Sequence, residues 1–523
     1  LPDQEFCSEG GTVTTLFTSW RNTPRSAVLP SASAACLLLL FGAISSGYSQ
    51  TQADRERIEA ITKPAEDFSR AEKYETRSAG SATVFETVNA NSFSHPSANI
   101  SFEREARFRV GNGIFRKIWV SSPSSTKSSD GLGPLFNARS CQRCHLKDGR
   151  GRPPEPEQKA ESMVLRVSIP PQSEEDKALL KTRQKKSIPD PVYGGQLQNF
   201  SIQGFPAEGE MEITYREYPV QLADGEIVKL RKPHYKVAGL AYGQLHNEAM
   251  LSPRVAPPVI GMGFLESISE REILALEDPD DRNGDGISGK ANIVWSDEFN
   301  KRMLGRFGWK SGNPTIVQQA ASAFRVDMGI STLLYPNPFG DCSVAQHACL
   351  SAHHGGDSDE HPVEVNAELF DLLVFYTRNL GVPARRDVEN PQVLEGKRLF
   401  YKSNCIGCHH PKFVTRRDSI GEEQSFQLIW PYSDLLLHDM GEGLADGSME
   451  GIANGREWRT PPLWGIGLTE AVNGHTFFLH DGRARNLLEA ILWHGGEAES
   501  SKQMVMAMTR AERDALIAFL DSL

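Results

Sequence analysis

Cys141-Gln142-Arg143-Cys144-His145 and Cys405-Ile406-Gly407-Cys408-His409 constrain this chain more than any other stretch. Each reads C-x-x-C-H. Two thiols at that spacing can add to the two vinyl groups of one haem. The histidine that follows then reaches the iron on its proximal side. At this chain's cysteine and histidine frequencies, only about 0.003 chance matches are expected. Two matches therefore point to two covalently bound haem c groups. Cys141, Cys144, Cys405 and Cys408 would hold them, and His145 and His409 would ligate the irons. The plainer reading is two unrelated pairs, as disulfides or half zinc sites. A zinc site would want a second C-x-x-C or a paired histidine close by.

Haem c attachment fits an exported chain, and the N-terminal region reads that way. Arg21 and Arg25 precede an apolar run from Ala34 to Ile44, followed by small residues. That run is too short to span a bilayer but suits the core of a signal peptide. Gly47-Tyr48-Ser49 offers a small-x-small site, which puts cleavage before Gln50 and the mature chain in the periplasm without a membrane span. Of eight cysteines, Cys7 and Cys36 leave with the signal and four carry haem. Cys342 and Cys349 remain, and an oxidising compartment favours a disulfide between them. The net charge of −11 argues against nucleic acid as a partner.

Taken in order, residues 1–49 are signal and upstream segment, and 50–101 form a polar extension. A helical pattern starts near Phe102. Residues 163–236 change character: Met163 to Ile169 and Met211 to Val220 alternate, and Asp224-Gly225 is a turn. This predicts a small β-rich insertion with a hairpin. Val393 to Phe400 is amphipathic and leads into Cys405. Thr509-Arg510-Ala511-Glu512 is a capping box that opens a closing helix.

An internal repeat sets the architecture. Pro257-Pro258 to Glu266 and Pro461-Pro462 to Glu470 both read P-P-x-x-G-x-G-x-x-E. Ala367-Glu368 and Ala511-Glu512 both open A-E-x-x-x-L-[LI]-x-F. Each half thus runs from haem motif to Pro/Gly segment to closing helix, predicting related domains over 102–382 and 383–523. Gly133-Pro134-Leu135-Phe136-Asn137, Asp148-Gly149-Arg150-Gly151, the run Tyr432 to Gly441, Arg459 to Trp464, and Phe478 to Gly482 then complete a pattern. The chain resembles the di-haem oxidoreductases, described as peroxidases or thiol oxidoreductases, within the di-haem cytochrome c peroxidase superfamily. That resemblance implies a mainly α fold of two cytochrome c-like haem domains, with the β-rich insertion in the first.

The resemblance also implies distal partners. In the peroxidases the second haem's sixth ligand stands 14 residues past a His-x-Gly turn. Here His480-Asp481-Gly482 is such a turn and His494 stands at that distance. His494 is therefore the expected sixth ligand, ahead of Met440 or His438. No His or Met follows Glu266 at a matching place, so the first iron is expected to be open or weakly held. Glu266 is the candidate acid/base by the repeat, and His246 is its rival. Asp281, Asn283, Asp285 and the Ile287 carbonyl are spaced like a calcium loop over 278–292, though Asn292 stands where a bidentate Glu belongs. Arg150, Arg459 and Arg483 are candidate propionate partners. Trp295, Trp309 and Trp464 are candidate electron relays, or core.

The expected function is a periplasmic di-haem c-type oxidoreductase of peroxidase type. An electron-donor protein such as a small cytochrome or cupredoxin reduces the second haem. A small oxidant such as hydrogen peroxide is then reduced at the first. The alternatives are a non-catalytic di-haem electron carrier and oxidation of a partner protein's side chain. Thiol oxidation ranks low, since Cys342 and Cys349 lack the C-x-x-C spacing of redox dithiols.

Overall fold

The helical pattern near Phe102 forms a helix over Phe102–Arg116 (α1), capped by the Ser101 hydroxyl, which accepts from the Arg104 N–H. The computed structural model describes residues 51–356 and 362–523, so the expected signal segment lies outside the described residues. Helices Ile316–Met328 (α2) and Ala367–Asn379 (α3) follow, and α3 packs on α1. The second half repeats that pair with Pro391–Lys402 (α4), the short Leu487–Leu492 (α5) and Arg510–Ser522 (α6), where α6 packs on α4.

Both crossings are made at a glycine. A Cβ on Gly111 would stand 2.3 Å from the Leu372 carbonyl oxygen, and one on Gly396 would stand 1.9 Å from that of Ala515. Backbone meets backbone, so no side chain can swing away. Gly396→Ala is expected to cost about 1–3 kcal/mol through overpacking. The check is the midpoint of denaturant unfolding; an unchanged midpoint would mean that the two helices part without strain.

The repeated Pro/Gly segments also share a backbone. Gly261 and Gly465 have φ of +73° and +73°. Gly263 is pressed against the end of α3 at Arg378, and Gly467 against the end of α6 at Asp521.

Between the first haem motif and Pro257 the chain is mostly strand and loop, broken by a helix over Glu174–Thr182. Met163–Ser168 (β1) is the centre of a three-stranded antiparallel sheet, flanked by Gln196–Leu197 (β2) and Met250–Val255. Glu210–Gln221 (β3) and Ile227–Ala238 (β4) form a long hairpin about Asp224-Gly225, in register from Glu210↔Ala238 to Gln221↔Ile227. Met250–Val255 is hereafter β5. The hairpin lies on the second half: the Arg231 guanidinium donates to the Arg483 and Gly482 carbonyls at 2.9 and 3.0 Å. Tyr235 Oη donates to Asp481 Oδ2 at 2.8 Å.

The expectation of a mainly α fold with cytochrome c-like domains is not met. The chain is mixed α/β, with 31% helix and 18% strand in several small sheets. The strands are not confined to the insertion. Phe413–Val414 pairs with Leu428–Ile429, and Leu437–Asp439 (β6) pairs with Glu457–Arg459 (β7). Glycines and prolines are dense between Pro431 and Pro462, which excludes long helices and leaves the backbone to pair across loops. Among the described residues no helix is long and apolar enough to cross a membrane.

Candidate functional site

Cys141–Cys144 form a single helical turn, and His145 leaves it with non-helical backbone. His145 Nδ1 lies 2.7 Å from the Pro257 carbonyl oxygen, the first proline of the repeated segment. Burial pushes the imidazole down to about 4, so it is neutral. A neutral ring that donates through Nδ1 presents the Nε2 lone pair, as an iron ligand must. Phe115 of α1 stands beside it, with ring centres 6.3 Å apart.

The motif opens on a cavity of about 1920 Å³ of empty space, open solvent at its mouth included. One wall is a stripe of α2, Gln319, Ala320, Ala323 and Asp327; another includes Val164 and Arg166 of β1. Arg150, Arg306 and Arg459 also line it, and all three are buried. Their hydrogen bonds run to backbone carbonyls alone: Arg150 to Leu479, Arg306 to Leu265, Arg459 to Gly308 and Thr460. Burial without a bonded carboxylate draws each guanidinium down to about 10. Buried charge without a counter-ion is costly. The two carboxylates of a haem would supply the missing anions, so thiols, imidazole, apolar walls and cations all fit that group. Arg150 and Arg459 were readable candidates; Arg306 sits in no motif. Arg483 is elsewhere, tied to Asp481 Oδ2 at 2.8 Å.

The second motif is built alike. His409 Nδ1 lies 2.8 Å from the Tyr432 carbonyl oxygen, burial pushes the ring down to about 4, and Phe400 stands at 6.1 Å. His494 is half-buried, near enough for its charge to bear on His409, and its Nδ1 lies 2.7 Å from the Ala490 carbonyl. All three candidate ligands thus share one tautomer with Nε2 free. His438 differs: its two nitrogens sit 2.7 Å from Asp434 and 2.7 Å from Glu497, which leaves no lone pair for a metal.

The halves diverge at α2 and α5. Phe307 bridges to Asn313 just before α2, and Phe478 bridges to Ala484 just before α5. Two residues later each helix is capped, by the Thr315 side chain accepting from Gln318 N–H and the Asn486 side chain accepting from Glu489 N–H. Counting eight residues from each cap (323 − 315 and 494 − 486) reaches Ala323 and His494. Ala323 lines the first cavity.

The other expected residues fall as follows. Glu266 is buried but does not line the cavity. Its Oε1 accepts from the Ile316 N–H at 2.8 Å and its Oε2 from Arg378 Nε at 2.8 Å. His246 lies in a loop after β4, its N–H on Asp190 and its Nδ1 accepting from the Glu248 N–H, away from the cavity wall. In the 278–292 loop, Asp281 accepts from Gly286 N–H, Asn283 from Asp285 N–H, and Asp285 from Ile287 N–H. These bonds run within the loop, and among the described residues no cluster of three or more His, Cys, Asp or Glu is disposed to hold a metal ion. Ile287 instead packs on Gly407 of the second motif. Cys342 and Cys349 form a disulfide, with Cα atoms 6.3 Å apart. Trp309 and Trp464 line the first cavity, whereas Trp295 does not. Trp458, which no motif flagged, stacks on His480 at 3.8 Å.

The family described as "Di-haem oxidoreductase, putative peroxidase" matches residues 73–523. No curated protein matches the chain. Among solved structures, Kuenenia stuttgartiensis hydrazine synthase pressurized with 20 bar xenon aligns at 18% identity and a TM-score of 0.21. That alignment covers 31% of this chain and 57% of the other.

Proposed function

The chain belongs to the di-haem oxidoreductase family, and from that premise we propose a periplasmic c-type enzyme that reduces peroxide at the His145 site. Electrons enter at the His409/His494 site from a small donor protein, a cytochrome or cupredoxin. One observation carries the reading: Ala323 stands in the first half where His494 stands in the second. A haem bound at the first motif would supply an iron able to pass electrons to a small oxidant.

The chain's residues do the rest. Cys141 and Cys144 anchor, and the Pro257 carbonyl fixes the tautomer of His145. Arg150, Arg306 and Arg459 neutralise the carboxylates. Ala320 and Ala323 keep that wall of α2 small enough to admit a small oxidant such as hydrogen peroxide.

A second reading has its own support. Met262 and Met328 also line the first cavity, and a thioether on that iron would make both sites closed and the protein an electron carrier. Low-temperature EPR of the oxidised holoprotein, with a cyanide titration, separates the two. The enzyme reading expects one high-spin and one low-spin ferric signal, with cyanide taken up by the first alone. Two low-spin signals and no cyanide uptake would favour the carrier.

A further inference from the structure

We propose that Asp327, with Arg166 from another element lining the same cavity, moves the peroxide proton at the first site. This rests on the peroxidase reading above and deepens it.

Asp327 lies four residues beyond Ala323 (327 − 323), on the same face of α2. Both line the cavity, as do Gln319 and Ala320 one turn before Ala323. A carboxyl there is one helical turn from the place that His494 fills in the second half. Asp327 Oδ1 accepts from Gln196 Nε2 at 2.8 Å, which fixes the group, while among the described residues none donates to Oδ2. Its charge bears on both Cys141 and Cys144, which places it at the attachment end of the cavity. Burial lifts its carboxyl above the ordinary range, and Arg166 opposes that lift.

Arg166 projects from β1 into the same cavity, and its Nε is buried without a partner. An unsatisfied buried donor is rare in a folded chain. No carboxylate forms an ion pair with the Arg166 guanidinium among the described residues, and in the proposal it bonds an oxygen that gains negative charge. Glu266, the residue that sequence favoured, has both oxygens committed to Ile316 and Arg378.

The chemistry balances with these groups. Reduction of hydrogen peroxide breaks the O–O bond, consumes two electrons and two protons, and yields two waters. The electrons come from the donor protein through the His409/His494 site. Asp327 takes the proton from one peroxide oxygen and returns it to the other, which leaves as water. Arg166 bonds the leaving oxygen as the bond lengthens. The remaining protons come from solvent.

The test compares wild type, D327N, D327E and E266Q holoproteins by stopped-flow with hydrogen peroxide. Cyanide association is measured beside it, because hydrogen cyanide must also lose its proton to bind. In D327N both rates are expected to fall on the order of 100-fold, with an unchanged EPR spectrum. D327E should recover part of the loss, and E266Q should stay within about threefold of wild type. Should D327N fail to bind haem, R166L serves in its place and is expected to slow peroxide about tenfold while keeping the spectrum. A D327N protein with wild-type spectrum and wild-type rates overturns the assignment to Asp327 alone. A wild type that leaves peroxide untouched overturns the peroxidase reading as well.

Discussion

Ala323→His is expected to close the first site. The high-spin ferric signal should vanish and a second low-spin signal should take its place. Cyanide uptake should stop, and peroxide reduction should fall by about a thousandfold or more, about 4 kcal/mol in barrier terms. The reason is the shared frame of α2 and α5. Each helix follows a phenylalanine bridge and starts at a side-chain cap, and eight residues past the cap stand Ala323, within α2, and His494, two residues beyond the end of α5. His494 is fixed there by a bond from Nδ1 to the carbonyl four residues earlier, Ala490. An imidazole introduced at 323 would find the equivalent carbonyl on Gln319 and so present Nε2 to the cavity. Ala320 beside it leaves the ring room. A variant that stays high-spin and still binds cyanide would mean that the frame does not extend to the iron. His494→Ala is the reciprocal change and should open the second site.

That frame could not be read in the sequence. Phe307 to Thr315 and Phe478 to Asn486 share only their first residue when aligned. What repeats is a backbone bridge and a cap, and Thr and Asn both serve as caps. The residue repeat instead points past Glu266, where the chain turns into a different helix over Glu270–Leu274. The closing helices were visible but misaligned. Sequence pairs Leu372 with Leu516, yet the carbonyl that meets the crossing glycine belongs to Leu372 in one half and Ala515 in the other. Side-chain identity had slipped by one residue relative to the backbone contact.

The motifs behaved differently because their chemistry is local. C-x-x-C-H needs no tertiary partner to be recognised. The hairpin about Asp224-Gly225 was legible for the same reason, through alternation and a turn. The fold class was not. Pairs such as Phe413–Val414 with Leu428–Ile429 are too short to show a period. Arg306 and Asp327 were equally hidden, since a lone Arg and a lone Asp carry no signal until a cavity gathers them.

Glu75→Ala is expected to destabilise the protein by about 3–5 kcal/mol, the usual cost of breaking a buried ion pair from one side. Glu75 is about 1% exposed, as are its partners Arg385 and Lys397 at 2% and 1% for their side chains. Arg385 donates to Glu75 Oε1, and Lys397 Nζ lies 2.7 Å from the same oxygen. Lys397 and Lys412 also meet Glu72. Removing the Glu75 carboxylate strands the buried Arg385 beside Tyr432, whose carbonyl orients His409, and leaves Lys397 with Glu72 alone. The loss should therefore register twice, in denaturant unfolding and in a shifted spectrum of the second site. Removing Arg385 as well, as E75A/R385M, should cost less than the two single losses summed, because fewer charges are left unpaired. The pH dependence has a definite sign. Burial works against the Glu75 charge, but Arg385 and Lys397 outweigh it and hold the carboxyl below its ordinary 4.5. Its contribution is then complete above 4.5 and is lost as pH falls through the lower folded value. Wild type should lose stability in that acid window, and E75A should lack that segment of the curve. If E75A unfolds at the wild-type denaturant concentration with the same acid limb, Glu75 is not what holds the segment before the first motif against α4, and the orientation of His409 must depend on the aromatic contacts of Tyr432 with Phe400 and Phe519 instead.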